Sequence, residues 1–408
     1  MQKRPSSSAK ARVLFLAPEA PYPVRGGGPL RSASLLEYLA CRFSVHAIVF
    51  RQPGDPNPAH AIPAGRIEKL DVVELPYHSK HPLARAFRNS RRLIRNIPPL
   101  MDRFAGFEER IAALAGGYEF RFAVIEHFWC ASYVDQLRPS CQRVILDLHN
   151  IESAWYESLA GSEGAARAWV LRRFAAESAV LERRWLPKFD SLLVTSNQDA
   201  RLMRGMVQSA VPTIYPNALP EIAPPTRQEG YEIAFSGNLE YQPNISAIRF
   251  FREKIWPVLR CRPDLTWKII GKNPEAIRGI IGGDPRIVVT GFVENAVRTL
   301  ASARVAVVPL LAGSGTRVKI LEAWAAGTPV VSTTIGAQGL ESRDQEHLLI
   351  ADSPDRFAAA VSRLLDSAED RVRIGAAGRK LYEERYTWPK AWKALDAVFG
   401  NAVETDVV

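Results

Sequence analysis

"VAVVPLLAGSGTRVKILEAWAAGTPVVS", residues 305–332, reads as one complete strand–turn–helix–strand unit. The β-branched run at 305–309 shows no polar alternation, as expected of a parallel strand covered on both faces. From 318 to 326 apolar residues recur at helical spacing, Gly327 ends the helix, and Val330 and Val331 begin the next strand. The turn at 313–316 has its own chemistry. Its two glycines let backbone amides converge, and the free N–H groups of a helix start favour an anion. Thr316 is placed to cap the helix. Arg317 and Lys319 occupy the first turn, where the helix dipole disfavours positive charge. Two cations set against that preference point to an anionic ligand. An ordinary link with solvated basic residues is the other reading. The order GxxxxGK[ST] is absent, so this is not a Walker loop. No GxGxxG follows the first strand either, which counts against a dehydrogenase.

The same alternation runs outward in both directions. Apolar runs at 13–17, 45–50, 72–75, 122–125, 144–148 and 192–195 alternate with helical patterns such as 30–39 and 165–186. The proline-rich stretch "TIYPNALPEIAPPTRQEGYE" (213–232) breaks the rhythm and reads as a linker. Strand patterns resume at 233–235, 267–270, 287–289, 305–308, 330–331 and 347–350, and helical composition fills 355–403. A βαβα order implies a parallel sheet with right-handed crossovers. We therefore expect α/β architecture: two doubly wound, Rossmann-like parallel-sheet domains facing across a cleft, joined near 216–230. Ligands in such sheets bind beyond the carboxyl ends of the strands.

Composition narrows the function. A chain of 408 residues exceeds one ordinary core. No apolar run reaches the roughly 18–20 residues of a bilayer span. The opening MQKRPSSSAK is polar, and VLFLAP is too short for a signal segment, so it reads as the first strand. Cys41, Cys130, Cys141 and Cys261 are scattered without a CxxC pair, which fits a reducing cytoplasm and neither zinc nor disulfides. The net charge of +10 suits an anionic partner. Much of it lies in "KHPLARAFRNSRRLIRNIPPLMDRF" (80–104), where Leu83, Phe87, Leu93, Ile94 and Ile97 interleave with arginines. That segment is either a solvated helix or a contact for acidic lipid on the inner face of a membrane or for a polyanionic acceptor.

"PLLAGSGTRVKILEAWAAGTPVVST" resembles the donor-site segment of GT-B glycosyltransferases of family four (glycosyl transferases group 1), in the subgroup with a GxGTRxKxLEA turn. "APEAPYPVRGGGPLRS", "VILDLHNIES", "FSGNLEYQPNISAIRFF", "KIIGKNP", "VTGFVENA" and "RYTWPKAWKAL" fall in that family's order. The resemblance implies an acceptor domain at 11–215, a donor domain at 231–385 and a helix at 386–403 crossing back to the first domain. It implies a nucleotide-diphosphate sugar as co-substrate, no separate cofactor, retention at the anomeric carbon, and a carbohydrate or lipid-linked acceptor rather than nucleic acid. His149, Arg317 and Lys319 would then be catalytic. Gly27, Gly28, Gly237, Asn238, Lys272, Val293, Ser314, Gly315, Thr316 and Glu322 would surround the donor, with Glu322 accepting from ribose hydroxyls. Arg31 and His127 would lie on the acceptor side, although a partly buried turn histidine also fits His127. Asp147 and Glu152 are placed to orient His149. No Asp-x-Asp metal anchor is present, so side-chain cations and no metal are expected at the diphosphate.

The sequence departs from the commoner family pattern twice. Ser314 stands where the first acid of an E-x7-E pair would be. "GNLEYQPN" carries no basic residue after the second domain's first strand. We expect Arg317 and Lys319 to supply that charge from the other side. A nucleotide-sugar epimerase on the same fold, or a non-catalytic sugar- or nucleotide-binding GT-B protein, are the alternatives.

Overall fold

The structure is a computed structural model that describes residues 10–400 apart from Lys80, Ser209, Ser314 and Thr316. The first sheet holds β1 (Arg12–Ala17), β2 (Ser44–Arg51), β3 (Lys69–Glu74), β4 (Phe120–Glu126), β5 (Cys141–Asp147), β6 (Ser191–Val194) and β7 (Thr213–Ile214), in the order β3-β2-β1-β4-β5-β6-β7. The second holds β8 (Glu232–Ser236), β9 (Thr266–Ile270), β10 (Ile287–Gly291), β11 (Val305–Val308), β12 (Val330–Ser332) and β13 (Leu349–Ile350), in the order β10-β9-β8-β11-β12-β13. Every pairing between these strands is parallel. This is the GT-B arrangement of two doubly wound sheets.

The continuous apolar runs follow from burial on both faces. In β1, Leu14 and Leu16 join a core with Ile48, Phe50, Ala123 and Ile125. Val13, Phe15 and Ala17 point the other way and pack with Val45, Ala47, Val49 and Val124. A side chain of either parity is therefore removed from water, at roughly 25 cal/mol per Å² of apolar surface. The strand order reverses between β1 and β4 in the first sheet and between β8 and β11 in the second. Loops leaving those strands diverge to opposite faces of the sheet and leave a crevice. The loops after β1, β4, β8 and β11 are therefore the ones that can build a site.

The segment read as a linker is held by backbone and side-chain hydrogen bonds. Thr213 and Ile214 extend the first sheet as β7, pairing with Leu193 and Val194. Beyond them, Leu219 N donates to Tyr386 O (2.9 Å) and Trp388 N donates to Leu219 O (2.8 Å). Tyr382 donates to Pro220 O and Arg379 to Ile222 O, each from the helix Ala368–Arg385. Prolines removed periodicity from this segment but left its carbonyls free to accept. The last helix, Trp388–Phe399, buries Leu395, Val398 and Phe399 against the first sheet's core, and Tyr38 donates to Asp396 (2.8 Å).

Candidate functional site

Two acids end adjacent central strands. Glu126 closes β4, Asp147 closes β5, and the register pairs them directly. Both are fully buried, so each needs a partner. Arg31, from the helix Gly27–Arg42, supplies one. Its Nε and Nη2 hold the two oxygens of Asp147 at 2.8 and 2.5 Å. Its Nη1 donates to Tyr215 O (2.6 Å) and Asn217 (3.1 Å). Arg31 is thus consumed inside the first domain, at 1% exposure, and does not reach the acceptor side where we expected it.

His149 joins the two acids. Its Nε2 lies 2.8 Å from Glu126 Oε2 and 3.5 Å from Asp147 Oδ2. Burial opposes a charge on the ring, but the bonds to Asp147 and Glu126 outweigh it and raise its pKa. Burial also raises the Glu126 carboxyl, against the bonds from His149 and Ser32. Asp147 is desolvated too, yet Arg31 and His149 hold its carboxyl below the usual range. His127 stacks between His149 (centroids 3.5 Å) and Trp129 (4.1 Å). Burial, then the neighbouring His149 and Arg31, push its pKa well down, so it stays neutral. Among the described residues its Nε2 has no hydrogen-bond partner, and it lies in the space beside Gly28 and Glu19. Glu126, His127 and His149 bring donor atoms within 4.8 Å of one another, as a metal site would require. Glu126 Oε2, however, is already engaged by Ser32 and His149, and the two rings lie face to face.

Glu152 does not orient His149 as expected. It accepts from Trp129 Nε1 (3.0 Å), and burial together with Glu182 raises its carboxyl to about 8. Glu19, which the sequence did not single out, stands at the end of β1. A Cβ on Gly28 would lie 3.1 Å from its Oε1. Desolvation raises the Glu19 pKa, opposed by His149 and by Lys272 of the second domain.

The second domain contributes its own cluster. Arg317 stands at the N-cap of the helix Val318–Ala325, with no side-chain cap bond; the expected cap Thr316 and Ser314 lie outside the described residues. Arg317 is buried and donates to Ile335 O (3.3 Å). Lys319 reaches back to β8's turn. Its Nζ donates to Asn244 Oδ1 (2.5 Å) and sits 4.3 Å over the Phe235 ring. Burial and then Arg317 push Lys319 down to about 7, against the pull of Glu322. Glu322 accepts from Ser236 (3.0 Å) and is raised by burial. Gly237 has φ 154°, and a Cβ there would come within 2.6 Å of Asn244 Nδ2 and 3.2 Å of Lys319 Nζ. Only glycine leaves that approach open. Asn238 accepts from Asn273 (3.3 Å) through its side chain. The Lys272 carbonyl accepts from Leu239 N, and Val293 packs on the second core.

The two clusters meet. A Cβ on Gly315 would lie 3.0 Å from His149 O, and one on Gly27 3.6 Å from Val318. Gly313 N donates to Ser158 Oγ (2.9 Å), and Trp155 Nε1 donates to Tyr241 OH (3.0 Å) across the cleft. The arrangement sets an imidazole held by two carboxylates in one domain, and a buried arginine and a partly neutral lysine in the other, with Gly315 against the His149 carbonyl. Glu126 was legible from one parallel: "FAVIEH" and "VILDLH" both run an apolar strand into an acid and then a histidine. Asn244 left no such signal, because its role depends on where Lys319 extends.

Residues 230–367 match the family Glycosyl transferases group 1. The chain is 21% identical over 94% of its length to an uncharacterized 44.6 kDa protein in the cps region of Klebsiella pneumoniae, covering 99% of that protein. Over 137 residues, 32% of this chain, it is 34% identical to a phosphatidyl-myo-inositol mannosyltransferase of Mycobacterium leprae, a match that takes in 36% of that protein's own length. Its fold superposes on sucrose-phosphate synthase from Thermosynechococcus elongatus with a TM-score of 0.71 at 17% identity, covering 96% of this chain and 98% of the other. Among the described residues no helix is long and apolar enough to cross a membrane. With two all-parallel sheets meeting at their switch points and this match over the second of them, the chain has the GT-B fold and carries a glycosyl transferases group 1 domain.

Proposed function

We propose that this chain is a retaining, metal-independent glycosyltransferase that moves a sugar from a nucleotide-diphosphate sugar to an acceptor hydroxyl in polysaccharide or glycolipid assembly. The observation that carries the reading is the placement of Lys319 beside Gly237 and of Arg317 beside Gly313, in the domain whose Gly315 comes up against the His149 carbonyl. The donor diphosphate lies against those cations and the amides of the turn around Gly315. They offset the charge that builds on the leaving phosphate, an electrostatic contribution that grows toward the transition state. Glu322 accepts from the ribose hydroxyls, and the turns at Lys272 and Val293 enclose the base. His149, charged and fixed by Glu126 and Asp147, donates to a hydroxyl of the donor sugar beside the breaking bond. The bond between the anomeric carbon and the phosphate oxygen breaks, and the acceptor oxygen bonds the same carbon on the same face. The acceptor proton passes to the departing diphosphate.

A donor screen tests this. UDP-, GDP- and dTDP-sugars are incubated with and without sugar or lipid-linked acceptors, and release of nucleoside diphosphate is followed. One donor should give acceptor-dependent release that chelators leave unchanged and that His149→Ala and Lys319→Ala abolish. Release equal in both variants and wild type would refute the assignment of this site.

A further inference from the structure

The helix Pro82–Arg95 is turned inside out. None of its residues is buried. Leu83, Phe87 and Ile94 are 75, 73 and 82% exposed. At about 100° per residue these three fall within roughly 40° of one another, forming a single outward stripe. The arginines lie on the flanks and the inner side. Arg88 donates to Ser79 O (2.7 Å) and Arg92 to Asp102 (2.8 Å), both toward the protein. Arg85, Arg91 and Arg95 are exposed, and none has a carboxylate within ion-pair distance among the described residues. A surface helix of a water-soluble domain has the reverse layout, apolar side in and charge out.

The surroundings extend the pattern. Tyr77, in the segment leading to this helix, is 75% exposed. Arg173, from the helix Ala165–Trp185, donates to Asn96 (2.6 Å) at the helix's end. One turn before Arg173, Trp169 is 65% exposed. Tyrosine and tryptophan favour the boundary between lipid and water.

We propose that Leu83, Phe87 and Ile94, flanked on one side by Arg91 and Arg95, dock on an anionic lipid bilayer. Exposed arginines with no carboxylate in ion-pair reach among the described residues, as at Arg91 and Arg95, complement a diffuse negative surface. A discrete protein partner would call for carboxylates and amides of matching geometry, and the stripe presents none. Apolar insertion and charge attraction are the two signals that together hold a helix at an interface. The location suits the reaction. Leu93 packs on the cluster of Tyr156 and Phe174, and two residues on from Tyr156, Ser158 accepts from Gly313 in the turn of the second domain. A docked bilayer therefore lies beside the mouth of the cleft. Only this last link rests on the proposed transfer reaction; docking itself is measured without turnover.

Co-sedimentation with vesicles tests it. The full chain should bind phosphatidylglycerol vesicles and not pure phosphatidylcholine at low salt, and binding should fade at about 0.5 M salt, where screening shortens to a few ångström. Replacing Arg91 and Arg95 together by glutamine should weaken partitioning about thirtyfold. Replacing Leu83, Phe87 and Ile94 by serine should abolish it without shifting the melting temperature, since all three are exposed. Failure to bind phosphatidylglycerol, or wild-type binding by the glutamine variant, overturns the proposal. So does a dimer in sedimentation velocity that the serine variant dissolves while lipid binding is absent, which would make the stripe a contact between copies of the chain.

Discussion

Lys319 should take up a proton when a diphosphate binds. In the free protein, burial and the adjacent Arg317 hold it near pKa 7, while Glu322 pulls the other way. A diphosphate against Nζ reverses the balance and restores the group toward roughly 10, its ordinary value. The sign follows from linkage. Above pH 7 the free site is increasingly neutral while the bound site stays charged. Binding therefore absorbs protons, and affinity falls as pH rises, by at most about tenfold per unit. Uptake should be about half a proton at pH 7 and about 0.9 at pH 8. Calorimetric titration of nucleoside diphosphate at pH 8, in two buffers of different ionisation enthalpy, reads this number directly. The terminal phosphate, with a pKa of about 6, no longer titrates at that pH. Lys319→Arg keeps a permanent cation, so it should bind without uptake and without the alkaline decline. Zero uptake by wild type at pH 8, or undiminished uptake by Lys319→Arg, would refute the assignment of this proton to Lys319.

Three further outcomes follow from the same geometry. Arg31→Met leaves the buried Asp147 with only its 3.5 Å contact to His149, so urea unfolding should show a loss of about 3 kcal/mol. Glu126→Gln removes one of the two carboxylates that raise His149, so the His149 resonance should titrate at lower pH than in wild type by NMR. Gly315→Ala forces a side chain onto a backbone at φ 73° and against the His149 carbonyl, and should cost about 1–2 kcal/mol in denaturant while weakening nucleotide binding.

The sheets were legible because parallel strands buried on both faces write themselves as unbroken apolar runs. The residues at 305–308 were expected as a strand and form β11 in full. β7 was missed because two residues carry no period, and Pro216 just beyond them signalled a break. Arg31 shows the limit for sites. Its position after a glycine loop suggested a ligand contact, but whether an arginine faces a cleft or an acid depends on which strand lies beside its helix. That strand is β5, more than a hundred residues away in sequence. His149 was readable, since a strand's carboxyl end must open on the crevice. Its two carboxylates were only half so, because register and not spacing brings Glu126 level with Asp147.

The same distinction explains the missing cations after β8. The turn "GNLEYQPN" has no basic residue, yet the space beside Gly237 is not without charge. Lys319 crosses from the helix after β11, which neighbours β8 in the sheet, and Asn244 receives it on the far side. The switch point makes this exchange possible: the two loops that leave β8 and β11 face one crevice, so a cation grown from either occupies the same volume. What changes is its environment. A lysine pinned between Asn244, the Phe235 ring and Arg317 is desolvated before any ligand arrives, and so is about half neutral at pH 7. A lysine on the exposed turn itself would be charged at all such pH values. Moving the cation by one strand thus converts a fixed charge into one that a phosphate bound there would call up.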